Sequence, residues 1–424
     1  MKSVFFLARA YNDLDCRLPL LFEFAQDTNY SVTIIAIPTN AGLQDPKLHE
    51  LYEFASKNGI AITTIYDFGD TGLLLLSIYR LYTWVAGCKA IERVFPRLHY
   101  YLKFAVFCIV RRLSISHQGF IHGILKKFES SIVMVDEIIF HRGRSFFIDS
   151  LYTSWKKLRA FELYAFLTGQ DPYIDLWEDN AWVRPAICVS ESIDVPLFVP
   201  GPNDALVMRA QLPNENILIT GNTRFDKSWV VRRASLSRKG VVSISKQIGA
   251  KVGKIKIVFM LSKIEYGVEV INLVETMNRC AALDNSIVIM KPHTRGMNFN
   301  ALGYPLNARI VDGSEHSSSD LIEWADFVFF TGSSIAFHAI LSGKKVCYLK
   351  YCQRYRSIYD AGESVLVADN IEEALKYIYL PNAFSHCEAE TLRFLATHVY
   401  NGNKNGQVCQ DIKARIEYLS SLVA

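Results

Sequence analysis

The chain has no cluster of cysteines beyond Cys347 and Cys352, which are too isolated to read as a zinc half-site. Its nine cysteines are scattered from Cys16 to Cys409 without a CxxC pair. That excludes a zinc ribbon or a dithiol redox motif and points to reduced thiols in a cytoplasmic setting. The chain also lacks an uninterrupted apolar run of about 18 residues, so no transmembrane helix is expected. The opening residues show no signal-peptide pattern. Val4 to Ala8 is apolar, but Arg9, Asn12, Asp13 and Asp15 break it before any small-residue cleavage site, and the stretch reads as a first buried strand. Neither sign of charge dominates: the formal net charge is +4 over 424 residues, which does not point to nucleic acid. Low-complexity tracts and repeats of fixed period are missing too. What is present is apolar. The chain is 50% hydrophobic and 12% aromatic, which excludes long-range disorder and allows two domains with sizeable cores.

Strand-like and helix-like stretches alternate. "SVFFLA", "SVTIIAIP", "IAITTIYDF" and "SSIVMVDEIIF" read as strands, and "CRLPLLFEFAQD" has helical spacing. This rhythm predicts a parallel sheet with helices on both faces. From Trp182 the pattern reads as short strands separated by turn residues. "SRKGVVSISKQIGAKVGK" (237–254) is polar, basic and glycine-containing and reads as a linker. The rhythm then resumes with "KIKIVFML", "NSIVIMK", "ARIVD", "ADFVFF" and "KKVCYL". The tail from Glu388 looks helical, with a break near Asn401 to Gly406. The expected organisation is α/β, two Rossmann-like domains facing across a cleft. Residues 1–236 form the first domain and 255–385 the second, and helices in 386–424 pack back toward the first.

Three loops at strand ends of the second domain carry candidate chemistry. Lys263 follows "KIVFML", and "MKPHTRG" supplies Lys291, His293 and Arg295. "TGSS" places Gly332, Ser333 and Ser334 at the opening of a short helix over Ile335 to Leu341, with Gly343 just past its end. If these strands are parallel neighbours, the loops share one edge. Three cations, a histidine, two serine hydroxyls and free backbone N–H groups there suit a phosphate or diphosphate.

Taken in order, "ITGNTRFDKSW", "IVIMKPHTRG" and "DLIEWADFVFFTGSSIAFHAILSGKKVCYL" resemble bacterial cell-envelope transferases of the GT-B type. The likeness is to the CDP-glycerol glycerophosphotransferase and capsule-polysaccharide group, which includes the polysialyltransferases, and it covers roughly 187–375. It implies transfer of a sugar or polyol-phosphate from a CDP-, CMP- or UDP-linked donor to a surface polysaccharide or lipid-linked acceptor. In that group the residues matching His293, Ser333 and Ser334 hold the nucleotide phosphates. No cofactor and no metal is implied, since the activated donor is itself the substrate. Two departures stand out. Thr294 follows His293 where relatives have proline, and "FLTGQDPY" has Gln170 where many relatives carry the histidine of a His-Gly pair.

The base that would activate an acceptor hydroxyl has several candidates: Asp13, His141, Glu137 and Asp171. Asp13 and Asp15 also spell the Asp-x-Asp of metal-dependent transferases, a motif of a different architecture, and the plain reading of Asp13 is helix capping. The segment 72–129 mixes aromatic residues with many Lys and Arg. Its plain reading is core helices with a solvated basic face. The sharper one is an amphipathic region against an anionic membrane, on the inner face of the cytoplasmic membrane. Two rivals remain: a sugar-nucleotide epimerase of the UDP-N-acetylglucosamine 2-epimerase type, which needs several acidic and histidine groups around one sugar ring, and a degenerate protein that binds glycan without turnover.

Overall fold

The computed structural model describes residues 1–8, 11–36, 46–64, 101, 128–136, 152, 155–156, 159–167, 170, 172–174, 194–211, 216–248, 253–293, 304–380, 388–403 and 405–423. Two parallel sheets are present among them. The first runs in the order β3-β2-β1-β4-β5-β6-β7. Its strands are β1 (Lys2–Ala8), β2 (Tyr30–Ala36), β3 (Ala61–Thr64), β4 (Ile132–Asp136), β5 (Glu162–Phe166), β6 (Leu197–Val199) and β7 (Ile217–Ile219). The second runs β10-β9-β8-β11-β12-β13. It is built from β8 (Ile255–Met260), β9 (Ser286–Lys291), β10 (Ile310–Asp312), β11 (Phe327–Phe330), β12 (Lys345–Leu349) and β13 (Leu366–Ala368).

Every strand pairing is parallel. Strands such as Ile132–Asp136 and Phe327–Phe330 are buried along their whole length, as continuous apolar runs between two helical layers must be. Strand order reverses between β1 and β4 in one sheet and between β8 and β11 in the other. Loops leaving the carboxyl ends of strands at such reversals part from each other and leave a crevice.

Helix α1 (Tyr11–Ala25) follows β1 and α2 (Pro46–Lys57) follows β2. Between β6 and β7 lies α3 (Pro202–Gln211), a helix in a region expected to hold only short strands and turns. Residues 237–248, expected to open a linker, form the second half of helix α4 (Lys227–Ile248). Its buried side is Val230, Arg233, Ser237 and Ile244, a helical spacing. Gly240 continues that side: a Cβ there would lie 2.3 Å from the Asp320 carboxyl carbon. Ser237 and Gly240 stand on the packed face among apolar residues such as Trp229 and Ile244, so the stretch resembles a linker in composition while its geometry is helical.

The second domain adds α5 (Val270–Ala282), α6 (Ser318–Trp324), α7 (Ala336–Leu341) and α8 (Ile371–Ile378). Ser317 caps α6 by accepting from Asp320 N at 3.1 Å, and Asn370 caps α8 by accepting from Glu373 N at 2.9 Å. Gly343 has φ +65° just beyond α7, where a left-handed residue ends a helix. The tail forms α9 (Glu388–His398) and α10 (Val408–Val423). Helix α10 lies against the first sheet's side of the molecule. Lys413 Nζ is 2.7 Å from Asp27 Oδ2, and Tyr30 OH donates to Glu417 Oε1 at 3.0 Å. Aromatic rings from distant segments join the halves: Phe225 meets Phe337 at 5.4 Å between ring centres, and Phe337 meets Phe394 of α9 at 6.0 Å. No described helix is long and apolar enough to cross a membrane.

Candidate functional site

A cavity of about 300 Å³ opens between the carboxyl edges of the two sheets. The first half contributes Asn12, Cys16, Gln170, Tyr173 and Arg224, and the second contributes Lys263, His293 and the Gly332–Ser334 turn. No Asp or Glu is among its described lining residues, which include Arg224, Lys263, Lys291 and His293. The field inside therefore favours an anion.

The turn after β11 has a one-sided hydrogen-bond pattern. Thr331 O accepts from Gln353 Nε2 at 2.7 Å and from Tyr173 OH at 3.2 Å. The Ser262 hydroxyl lies 3.1 Å from Thr331 O and 2.9 Å from Gly332 O and is shared between them. Ser333 O accepts from Ala336 N at 3.1 Å and from Tyr359 OH at 3.3 Å, and Ser334 O accepts from Phe337 N at 3.1 Å. The first amides of α7 are thus already paired. The amides of Ser333 and Ser334 have no acceptor among the described residues. Helix α7 spans only 6 residues, so its dipole adds little and the turn's own N–H groups are the donors. Gly332 has φ +84°. Successive unpaired amides beside a left-handed residue are the ingredients of an anion-binding concavity, or nest.

Arg224 lies in the 3₁₀ turn Thr223–Phe225 of the "GNTRFD" segment. Its guanidinium pairs with Asp15 at 2.8 Å. The rest of the segment is a structural hub. Asn222 Oδ1 accepts from Arg224 N at 3.1 Å. Thr223 Oγ1 accepts from Arg17 Nη1 at 3.0 Å and donates to Cys16 O. Asp226 accepts from Ser228 N and from Cys409 N, each at 3.0 Å. Lys263 Nζ donates to Tyr266 OH at 3.0 Å and lies 4.7 Å from that ring's centre. Burial pushes the Cys16 thiol up, against Arg224 and Arg17, so it is protonated and a poor nucleophile.

Of the residues expected from sequence, Lys263, His293, Gly332, Ser333 and Ser334 line this cavity. Lys291 also borders it, but its ammonium donates to Gly313 O, Ser314 O and His316 O at 3.2, 3.0 and 2.7 Å. It holds the loop after β10, and a phosphate would have to compete with three carbonyls for it. Asp13, expected as a base, is 5% exposed and is not among the cavity residues. On α1 the cavity face carries Asn12 and Cys16, four residues apart. Asp13 is about 100° round the helix from Asn12, close enough to Tyr52 of α2 to help burial push that phenol up to about 12. His141, Glu137, Asp171 and Arg295 lie outside the described residues, as does the segment 72–129 apart from Tyr101, Phe128 and Glu129. Arg224, Tyr173 and Asn12 were not singled out as site residues by the sequence pattern. Gln170 serves as a brace: it accepts from Asn222 Nδ2 at 3.2 Å and donates to His398 O.

Behind the turn sits His338, 2% exposed and 3.9 Å from Glu323. Burial lowers its pKa below the ordinary 6.5, against the pull of Glu323. The unfolded chain therefore takes up this proton first as pH falls. The stability that neutral His338 contributes is complete above about pH 6.5 and declines as pH drops from there through the folded-state value. Thermal melts between pH 7.5 and 5 should show a falling Tm on the acid side, and His338→Gln should flatten the slope. An unchanged slope would assign it elsewhere, for instance to His398, which burial also lowers.

No family model matches the chain, and no curated protein matches it in sequence. Among solved structures, UDP-GlcNAc 2-epimerase from Methanocaldococcus jannaschii is similar at TM-score 0.54 and 14% identity, with 99% of this chain and 100% of that one covered. The Neisseria meningitidis UDP-GlcNAc 2-epimerase bound to UDP-GlcNAc gives 0.52 at 12% identity, with 99% and 100% covered. The N-terminal domain of Candida albicans trehalose-6-phosphate phosphatase gives 0.51 at 9%, with 98% and 97% covered. At these identities the likeness is one of fold, and the chain has the two-domain, GT-B-type fold that these proteins share.

Proposed function

We propose that the cavity holds a nucleoside-diphosphate sugar and that the protein is an enzyme acting on it. The observation that carries this is the Thr331–Ser334 turn. Its carbonyls are tied back, and two amides are left for an anion, in a cavity with Arg224 and Lys263 and no carboxylate among its described lining residues. Preorganised donors of this kind stabilise the charge that develops when a diphosphate leaves a sugar carbon.

Isomerisation of the sugar stands first among the reactions, because UDP-GlcNAc 2-epimerases match the chain over 99% of its length. Inverting a carbon that bears hydrogen requires that its proton be removed and returned. Among the described lining residues, His293 supplies the imidazole, the side chain type most often used for such proton transfer. Transfer to a glycan or lipid-linked acceptor is the second reading. The observation that favours it is the missing carboxylate, since transfer needs the leaving phosphate stabilised more than it needs acids on two faces of a ring.

Incubation with UDP-GlcNAc in deuterated water, followed by proton NMR, separates the two. A new sugar-nucleotide epimer carrying solvent deuterium marks isomerisation. Release of UDP that depends on an added glycan acceptor marks transfer. Absence of both, together with no binding of UDP, would overturn the proposal. His293→Ala should keep the parental Tm and slow whichever reaction is seen by on the order of 100-fold, the usual cost of one preorganised group. Normal turnover by the folded variant would remove His293 from the chemistry.

A further inference from the structure

Residues 172–174 of the first half are sewn into the second domain. Pro172 O accepts from Ile358 N at 3.0 Å and from Ser357 Oγ at 3.2 Å, and Ile174 N donates to Arg356 O at 3.0 Å. Tyr173 and Ser357 form an antiparallel bridge. At the centre of this strap Tyr173 is 0% exposed. Its hydroxyl accepts from Gln353 Nε2 at 3.1 Å and donates to Thr331 O. Its ring lies against Gly332, where a Cβ would fall 2.7 Å from Tyr173 Cε1.

We propose that Tyr173 is a positioning residue for the anion nest, so that the first half of the chain sets the diphosphate subsite carried by the second. The inference rests on the cavity's reading as a nucleoside-diphosphate site. Glycine has the widest backbone freedom of any residue. A turn built on Gly332 at φ +84° has other conformations open to it, including ones that swing Thr331 O into the cavity and the amides out. The Tyr173 ring is the wall that removes this freedom, and its hydroxyl helps hold Thr331 O on the far side. If the halves part, the strap withdraws both restraints and the nest loosens.

The test pairs UDP affinity by calorimetry with hydrogen exchange of peptides across 327–341. Tyr173→Phe keeps the wall and removes the hydroxyl, and should weaken UDP by about 3–10-fold, the worth of one hydrogen bond. Tyr173→Ala should weaken it further, and both should exchange faster across the turn while peptides from β1 and β2 exchange as in the parent. Parental exchange and UDP affinity in both variants, with UDP bound by the parent, would overturn the inference and leave the ligand reading standing. If the parent does not bind UDP, the ligand reading fails and exchange alone decides: faster exchange confined to the turn supports Tyr173 as its wall, and unchanged exchange refutes it. Should the tyrosine variants unfold, Gln353→Ala outside the cavity removes the partner donor on Thr331 O and is expected to loosen the same turn. A turn as protected as the parent's in that variant counts against the inference.

Discussion

Replacing Arg224 by alanine is expected to lower the stability of the fold by about 3–5 kcal/mol, the cost of breaking a buried ion pair on one side. Its partner, the Asp15 side chain, is 2% exposed while the Arg224 side chain is 18% exposed, so the carboxylate loses its paired guanidinium in a dry setting and keeps the attraction of Arg233. The same substitution takes a guanidinium out of the cavity. UDP affinity should fall by about 10–100-fold, as for one charge-assisted hydrogen bond. The two effects are separable. Adding Asp15→Asn removes the stranded charge and should restore much of the stability, but it should not restore UDP binding. Chemical denaturation and calorimetry on the single and double variants read the two quantities. A stability loss below about 1 kcal/mol would show a solvated pair of the ordinary surface kind, and unchanged UDP affinity would place the guanidinium outside the ligand's reach.

That pair also shows where sequence reading runs out. The strands were legible because buried parallel strands are continuous apolar runs: Ile255–Met260, Ser286–Lys291, Phe327–Phe330 and Lys345–Leu349 each lie within a stretch that reads as a strand. The turn at Gly332 was legible because a strand, a glycine, two serines and a short helix are adjacent in the chain. Arg224 was not, since its place depends on the turn 223–225 meeting α1 some two hundred residues earlier. Lys291 sits at the strand end where a cation was expected, yet nothing near it in sequence announces the three carbonyls of the loop 313–316 that accept its hydrogen bonds. Asp13 is set off the cavity by helix phase, because one step along α1 separates it from Asn12, which lines the cavity. Helix α4 is masked by composition, because Ser237 and Gly240 interrupt the apolar spacing of its packed face between Val230 and Ile244. What stays hidden is tertiary in each instance: the partner is far away in the chain, or the face is defined by what packs on it.

Gly332→Ala tests the turn most severely. Two costs add. An L-residue held at φ +84° pays roughly 1–2 kcal/mol for its left-handed backbone. The new methyl would also sit 2.7 Å from Tyr173 Cε1 and 2.8 Å from Tyr173 OH, closer than any tolerable contact. The ring cannot step aside easily, since its hydroxyl is tied to Thr331 O at 3.2 Å and to Gln353 at 3.1 Å and the side chain is fully enclosed. Overfilling a packed site of this kind costs about 1–3 kcal/mol. The expected loss is therefore about 2–5 kcal/mol in unfolding experiments, together with loss of detectable UDP binding, because relief of the overlap must move the peptide that aims the Ser333 and Ser334 amides. The same substitution made in a Tyr173→Ala background should cost only the backbone part, about 1–2 kcal/mol, since the overlapping ring is gone. Contacting residues are expected to show such non-additivity. If Gly332→Ala costs the same with and without the tyrosine ring, the two do not press on each other, and the turn owes its shape to its other partners, Ser262, Gln353 and Tyr359 among them.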